Sequence, residues 1–417
     1  MKFDNQLRYA ATIIASYQGE MPLHTWLKNF FREHKQMGSK DRRLVSNMVY
    51  GFYRLGHALR SMPAEERVLT GLFLCYEMPG ELLQYFRPDW NERIAHPLPE
   101  KIAFLRQSGI DFEPTDIFPW KEELSEAIDH ETFCLSFLRQ PDLFLRIRPG
   151  HEKEVLGKLA QAAGTPSSQP SLQRIPHEFI PPFTLRLPNG FKVEEWFTPD
   201  KEVVIQDYSS QKIATFLQIA RPPSAPDTQP AAPLSFWDAC AASGGKSILA
   251  FDLNPRIDIT VSDIRESILR NLRERFRRAG IKKYHSFVAN LAASHHPFSG
   301  IGAGQSSGGP QAYDLILADV PCSGSGTWSR TPEELYFFDP KKILHYSSMQ
   351  KKIVANILPQ VSKGACFVYS TCSVFRKENE EIAALIRDAF GLQPDRMENI
   401  KGYDQKADSM FAARFRA

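Results

Sequence analysis

A chain of 417 residues with a formal net charge of +3, 42% apolar and 24% charged residues has a globular balance and exceeds the usual length of one compact domain, so a substantial core with one or two accessory domains is expected. That balance excludes a disordered or fibrous chain, and no stretch is long, apolar and uncharged enough to cross a bilayer. The six cysteines, Cys75, Cys134, Cys240, Cys322, Cys366 and Cys372, form no CxxC pair and no cysteine-histidine cluster, which argues against both a disulfide framework and a metal site.

The amino terminus, MKFDNQLRYAATIIASYQGE, carries charges through its first turns and lacks an apolar core followed by a small-residue cleavage site, so a cytoplasmic address is expected. Residues 1–134 show helical apolar spacing, as in LRYAATIIASY, LHTWLKNFF and DRRLVSNMVYGFYRL, and predict an all-α domain. Basic residues bunch at Lys35, Lys40, Arg42 and Arg43 and again over 265–283. Both bunches suit a phosphate-rich partner, and each alone equally suits the solvated face of an ordinary helix. Over 135–200 the pattern turns to short β-rich pieces, LFLRIRP, FTLRLPNG and KVEEWF, around the helix-like HEKEVLGKLAQAAG, which predicts a small α+β module and a linker near 198–201.

From 201 to 417 strand, turn and helix alternate, the pattern of a mostly parallel sheet covered by helices on both faces. FWDAC, DITVSD, HSFVAN, DLILADV and ACFVYST are its expected strands in chain order. Two stretches rich in Pro, Gly and Ser, 221–233 and 299–311, read as surface insertions. In such a sheet ligands bind where the strand order reverses, at the carboxyl ends. There the first strand runs into Cys240, Ala241, Ala242, Ser243, Gly244, Gly245 and Lys246, a small-residue turn that lets backbone approach a nucleotide-like ligand at a helix amino terminus. The second strand ends in Asp263, about 20 residues on, where a carboxylate can accept hydrogen bonds from a ribose. No GxGxxG is present, and CAASGGKS misses the P-loop pattern by its first glycine, which leaves dinucleotide and phosphate-loop readings little support.

The fourth strand runs into Asp319, Val320, Pro321 and Cys322, and the fifth into Thr371 and Cys372, with one amphipathic helical stretch over 340–361 between them. A right-handed crossover makes such strands neighbours, so both cysteines are expected at one sheet edge with Asp319. Cys366, inside an apolar strand, reads as a small hydrophobe. Two thiols and a carboxylate beside a nucleotide pocket suit methylation of a pyrimidine carbon, in which a thiolate adds to carbon 6 and makes carbon 5 nucleophilic. Cys372 is the expected nucleophile, Asp319 the group that holds a proton at ring nitrogen 3, and Cys322 the group that assists loss of the carbon 5 proton.

At DACAASGGKS, DVPCSGSGT and YSTCSVFRKENEE, and at VIQDYSSQ before them, the sequence resembles the Sun/RsmB/Nop family of RNA cytosine-5 methyltransferases. The resemblance covers 203–417 and extends more weakly to GSKDRRLVSNMVYGFYR, which looks like part of a NusB-like RNA-binding domain, and 135–200 fits a ferredoxin-like or RRM-like module. It implies a Rossmann-like class I methyltransferase domain, S-adenosyl-L-methionine as cofactor, and RNA as substrate, ribosomal RNA before transfer RNA. It implies donor contacts from 240–246, Asp263, Asn290 and Asp319, and the same catalytic trio. Three positions depart from the family pattern: Ser243 for proline, which should loosen the turn; Asn290 for an acid, whose amide oxygen can still accept an adenine amino hydrogen; and Ile268 for arginine, with Arg270 a neighbour able to stand in.

An extruded cytosine costs least in a loop or bulge, and phosphate contacts from Lys40, Arg42, Arg43, Arg146 and Arg148 are expected to hold the RNA. A monomer without metal or membrane association is expected. The rival readings are a small-molecule or protein methyltransferase, which needs neither cysteine, and a non-catalytic ribosome-assembly factor, which intact cysteines oppose.

Overall fold

The computed structural model describes residues 2–164, 177–218, 233–293 and 312–417, with side chains omitted over 161–164. The expected insertions at 221–233 and 299–311 lie outside the described residues apart from Pro233. The chain divides into two compact units, Met1–Pro141 with Ser325–Lys342, and Asp142–Gly324 with Ile343–Ala417. The expected boundaries at 134 and 200 are therefore displaced: the small α+β module and the parallel sheet form one unit, and the segment 325–342 returns to the helical one.

The helical unit opens with α1 (Phe3–Ser16), α2 (Leu23–Glu33), α3 (Ser39–Arg54) and α4 (Ala64–Cys75). Their apolar residues recur every three or four positions, so that α1 buries Leu7, Ala10 and Ile13 and α2 buries Leu23, Leu27 and Phe31. α3 and α4 cross closely at Gly51 and Gly71, where a Cβ on Gly71 would stand 2.4 Å from the Gly51 carbonyl oxygen, a contact only glycine permits. Short helices α5 (Glu81–Phe86) and α6 (Pro88–Glu92) follow, then α7 (Leu98–Gln107) and α8 (His130–Ser136), the last N-capped by Asp129, which accepts from the Thr132 backbone N–H.

The second unit begins with β1 (Leu143–Ile147), α9 (Glu152–Gly164), β2 (Glu178–Ile180), β3 (Thr184–Leu187) and β4 (Val203–Ile205), paired antiparallel in the order β2-β3-β1-β4. This is the strand order of a split βαβ module in which a 3-10 turn at Val193–Glu195 stands where a second helix would be. α10 (Tyr208–Lys212) and α11 (Ala214–Leu217) lead to β5 (Leu234–Asp238), α12 (Gly245–Leu253), β6 (Ile257–Asp263), α13 (Glu266–Ala279), β7 (His285–Val288) and β8 (Tyr313–Asp319). The chain then enters the helical unit through α14 (Pro332–Tyr336) and returns along α15 (Lys341–Ile357) to β9 (Val361–Thr371), α16 (Glu380–Phe390), β10 (Gln393–Ile400) and β11 (Met410–Arg416).

The seven strands of the large sheet lie in the order β10-β11-β9-β8-β5-β6-β7. β5 to β9 are mutually parallel, and β11 and β10 close one edge antiparallel. All five expected strands form. The central strand β8 is apolar on both faces, as in Leu315, Ile316, Leu317 and Ala318, because helices cover both sides of it, while β7 at the edge is only partly buried. The order reverses between β5 and β8, so the crevice at their carboxyl ends is the ligand position that this topology favours.

Candidate active site

β8 and β9 pair in parallel register to Asp319 opposite Ser370. The residues just beyond each strand therefore emerge side by side, and the Sγ atoms of Cys322 and Cys372 stand 3.3 Å apart as free thiols. The hydrogen bond with Cys372, then burial, push the Cys322 thiol well above its ordinary range. Cys366, by contrast, is buried within β9, as its apolar surroundings predicted.

Asp319 ends β8 with both carboxylate oxygens engaged. Oδ1 accepts from the Ser370 hydroxyl at 2.7 Å and Oδ2 from Lys246 Nζ at 2.6 Å. Burial alone lowers the Lys246 ammonium, but the charge and hydrogen bond of Asp319 outweigh it, aided by Cys372, and leave it above its ordinary value. The sequence reading placed Lys246 with the donor-binding turn. The structure turns its side chain to Asp319 and within electrostatic reach of the Cys372 sulfur.

The turn between β5 and α12 is held by carboxylates at each side. Ala242 adopts φ +46° and Gly244 φ +81°, and a Cβ on Gly244 would meet Leu272 and Phe276 of α13 at 2.9 Å. The left-handed Ala242 is secured by its backbone N–H, which donates to Asp263 Oδ2 at 3.0 Å. Asp263 Oδ1 accepts from the Arg265 backbone N–H at 2.9 Å and from its Nε at 3.2 Å. At the base of the turn Ser247 donates to Asp238 Oδ2 at 2.6 Å, while the other Asp238 oxygen is buried without a partner. Burial, despite the Ser247 hydrogen bond, pushes the Asp238 carboxyl up to about 7. Burial likewise pushes the Cys240 thiol well above its ordinary range.

Three sequence expectations change here. Ser243 does not loosen the turn, because Arg275 Nη1 donates to both its hydroxyl and its carbonyl, at 2.9 and 3.1 Å. Near Ile268 the basic residue that reaches Asp263 is Arg265, whereas Arg270 is exposed on α13. Arg146 and Arg148, expected to meet RNA, are buried in β1 and just after it and share Asp252. Arg146 Nη1 donates to Asp252 Oδ2 and Nε to Gln206, and Arg148 Nη2 donates to Asp252 Oδ1 at 2.6 Å. Positions 146 and 148 lie on one face of an extended chain and that face packs inward, so both guanidiniums hold β1 to α12, with Arg146 Nη2 left buried without a partner. In the basic run over 265–283, Arg275 and Arg278 are similarly spent on Asp200.

Asn290 is exposed just beyond β7, its Oδ1 accepting from the Ala292 N–H at 3.2 Å. In the helical unit, Lys40 and Arg43 are exposed in the first turns of α3, and Arg42 is half-buried with Nε on the Met37 carbonyl. Sequence reasoning missed Asp238, Ser370, Gln350, Glu378 and Asn379, all buried around the cysteine loops or the turn. The signal for the last two was their place in YSTCSVFRKENEE.

The residues at this edge fit a nucleoside-type methyl donor. The glycine turn offers backbone, Asp263 retains lone pairs for ribose hydroxyls, and apolar Ile264 beside it is 56% exposed, a free face for an adenine ring. Sheet order, turn and acid-ended β6 together define a Rossmann-like, S-adenosyl-L-methionine-dependent methyltransferase domain. The family model described as 16S rRNA methyltransferase RsmB/F matches residues 229–414. The chain is 31% identical over 201 residues to the probable ribosomal RNA small subunit methyltransferase B of Bacillus subtilis (strain 168), covering 48% of this chain but 40% of that relative. It is 24% identical over 382 residues to the ribosomal RNA small subunit methyltransferase B of Enterobacter sp. (strain 638), covering 88% of this chain and 79% of that one. The crystal structure of PH0851 superposes with a TM-score of 0.62 over 100% of this chain and 99% of that chain at 16% identity, a likeness of fold. Among the described residues no helix is long and apolar enough to cross a membrane, and no group of three or more metal-ligating side chains gathers.

Proposed function

We propose that this protein methylates carbon 5 of a cytosine in ribosomal RNA through a covalent adduct on Cys372. The observation that carries the reading is the pair of free thiols 3.3 Å apart at the edge where Asp319 and Lys246 meet. A methyltransferase acting on an oxygen or nitrogen nucleophile needs no such pair.

Bound S-adenosyl-L-methionine supplies an electrophilic methyl group; the backbone over 240–244, Asp263, Ile264 and Asn290 would hold it. The protein's own residues do the rest. Cys372 adds as thiolate to carbon 6, with the Lys246 ammonium within electrostatic reach of its sulfur. Asp319, fixed by Ser370 and Lys246, holds a proton at ring nitrogen 3, which neutralises the negative charge that thiolate addition puts on the ring. Cys322 keeps its proton while hydrogen-bonded to Cys372. Once the Cys372 sulfur is bonded to carbon 6 that restraint is gone, and Cys322 becomes easier to ionise at the step where a base must take the carbon 5 proton. The electrons of that C–H bond restore the carbon 5–carbon 6 double bond and expel the Cys372 thiolate.

Relatives named for the ribosomal RNA small subunit point to the substrate, and exposed Lys40 and Arg43 of α3 are the phosphate contacts we favour in the helical unit. The experiment is a denaturing gel with 16S ribosomal RNA transcript and S-adenosyl-L-methionine. Cys322→Ala is expected to leave a protein-RNA band and Cys372→Ala none, with methyl incorporation lost in Cys372→Ala. Methylation that survives Cys372→Ala would overturn the reading.

A further inference from the structure

Past the nucleophile, two consecutive side chains reach in different directions, and both are fully buried: Glu378 and Asn379. Glu378 accepts the Ser323 backbone N–H on Oε2 at 2.8 Å. The same oxygen receives Gln350 Nε2 at 3.3 Å, and that Gln350 nitrogen also donates to the Pro321 carbonyl at 3.0 Å. The backbone groups on either side of Cys322 are thus gripped by one buried pair from the 376–378 turn and α15.

Asn379 treats Cys372 in the same way. Its Oδ1 accepts from the Thr371 hydroxyl at 2.6 Å, and its Nδ2 donates to the Ser373 carbonyl at 2.9 Å, so the residues flanking Cys372 are gripped too. The pair is itself anchored by the Tyr369 hydroxyl, which donates to the Glu378 carbonyl at 2.6 Å. An ordinary loop end would satisfy these groups with water. Burying a carboxyl and two amides to hold four loop residues costs desolvation that only a demand for fixed geometry repays.

We propose that Glu378, acting with Gln350, and Asn379 are positioning residues for the two thiols, Glu378 chiefly placing Cys322, through both backbone groups beside it, and Asn379 chiefly placing Cys372. Neither touches a reacting atom. Burial, against hydrogen bonds from Ser323, Gln350 and Ser373, raises the Glu378 carboxyl above its ordinary value. Its function as acceptor for Ser323 needs geometry rather than charge, so glutamine should replace it. The division into release and attack rests on the function proposed above, but the placement of the thiols does not.

The test is site-resolved alkylation of the full chain by limiting iodoacetamide, read by mass spectrometry as the ratio of the Cys322 rate to the Cys372 rate. Freeing one loop removes a buried hydrogen-bonded restraint, so Glu378→Ala and Gln350→Leu are expected to raise that ratio roughly fivefold and Asn379→Ala to lower it by a similar factor. Glu378→Gln should restore the wild-type ratio. A merely structural role moves both rates together and leaves the ratio unchanged in every variant, which would overturn the proposal, as would a Glu378→Gln that behaves like Glu378→Ala. Gln350→Leu carries the test should Glu378→Ala not fold. With 16S ribosomal RNA transcript, Glu378→Ala should accumulate the covalent band and Asn379→Ala should lose it. Absence of a band in Cys322→Ala counts against the proposed function alone, because the alkylation ratio is read without RNA.

Discussion

The two units bury cations by different means. In the helical unit Arg54, Arg67 and Lys101 are all fully buried and rest on backbone carbonyls. Arg54 donates to Phe137 and Arg139 just past α8, Arg67 to Gly56 and Ala58 just past α3, and Lys101 to Phe73 and Tyr76 at the end of α4. Each covers the carboxyl end of a helix, where unsatisfied carbonyls and the macrodipole concentrate negative charge. Arg67 also lies over the Phe52 ring, 4.1 Å from its centroid, and Lys101 lies 5.5 Å from that of Phe73. Burial pulls all three below their ordinary values. In the sheet unit Arg146, Arg148, Arg275 and Lys246 are instead matched to carboxylates, at Asp252, Asp200 and Asp319. A helix end supplies its own partial charge for a buried cation, whereas Arg146, on a strand with little net dipole, and Arg148 just beyond it are given an acid.

The largest expected effect tests the sheet unit. Asp252→Ala strands two guanidiniums on β1 and beyond it, and breaking a buried pair by removing one partner costs about 3 to 5 kcal/mol. Urea unfolding of the full chain should show that loss at the transition of the sheet unit, and a loss under about 1 kcal/mol would mean that the remaining hydrogen bonds to Gln206 and to the Asp200 and Ala279 carbonyls suffice.

Asp238 sharpens the comparison from the other side, since it is a buried acid on which no cation is seated. Its carboxyl is raised from 3.8 to about 7 by burial, with Asp319 and Asp263 adding to the rise and Ser247 and Lys246 opposing it. Stability from this group is complete below pH 3.8, where folded and unfolded chains both carry the proton. It falls as pH rises towards 7, because the unfolded carboxyl has ionised and the buried one must follow. At about 1.4 kcal/mol per pH unit, the wild type should lose roughly 2 to 3 kcal/mol relative to Asp238→Asn between pH 5 and pH 8. Parallel unfolding curves for the two proteins across that interval would show that Asp238 is matched after all.

How far these arrangements could be read beforehand depended on the range of the interaction. Strands β5 to β9 were legible from the repeated alternation of strand, turn and helix, with β8 an apolar run ended by a turn, and the convergence of Cys322 and Cys372 because a β8-α15-β9 crossover leaves little choice. Arg146 and Arg148 looked like phosphate ligands because a basic residue in a half-polar strand usually faces water, and the acid that draws them inward lies 104 residues further along at Asp252. The grip of Lys246 on Asp319 spans 73 residues, beyond any local pattern. Glu378 and Asn379 stood inside the recognised motif, but only the fold shows which loop each one holds. The return of 325–342 to the helical unit had no local signature either, since α14 is a single short turn.

The smallest expected effect tests the helical unit. Lys101→Met keeps the length and apolar stem of the side chain, which lies along the Phe73 ring, and removes the ammonium. Two carbonyls at the end of α4 lose a donor, but the chain no longer has to desolvate a charge, so the two changes partly offset and a cost of about 1 kcal/mol is expected from the lost cap. Asp252→Ala has no such offset, because the charges it exposes remain in place. The contrast is therefore read as a ratio of two unfolding measurements under one condition. Were Lys101→Met to cost as much as Asp252→Ala, helix carbonyls would be holding their cation as tightly as a carboxylate does, and the distinction between the units would lie in chain topology alone.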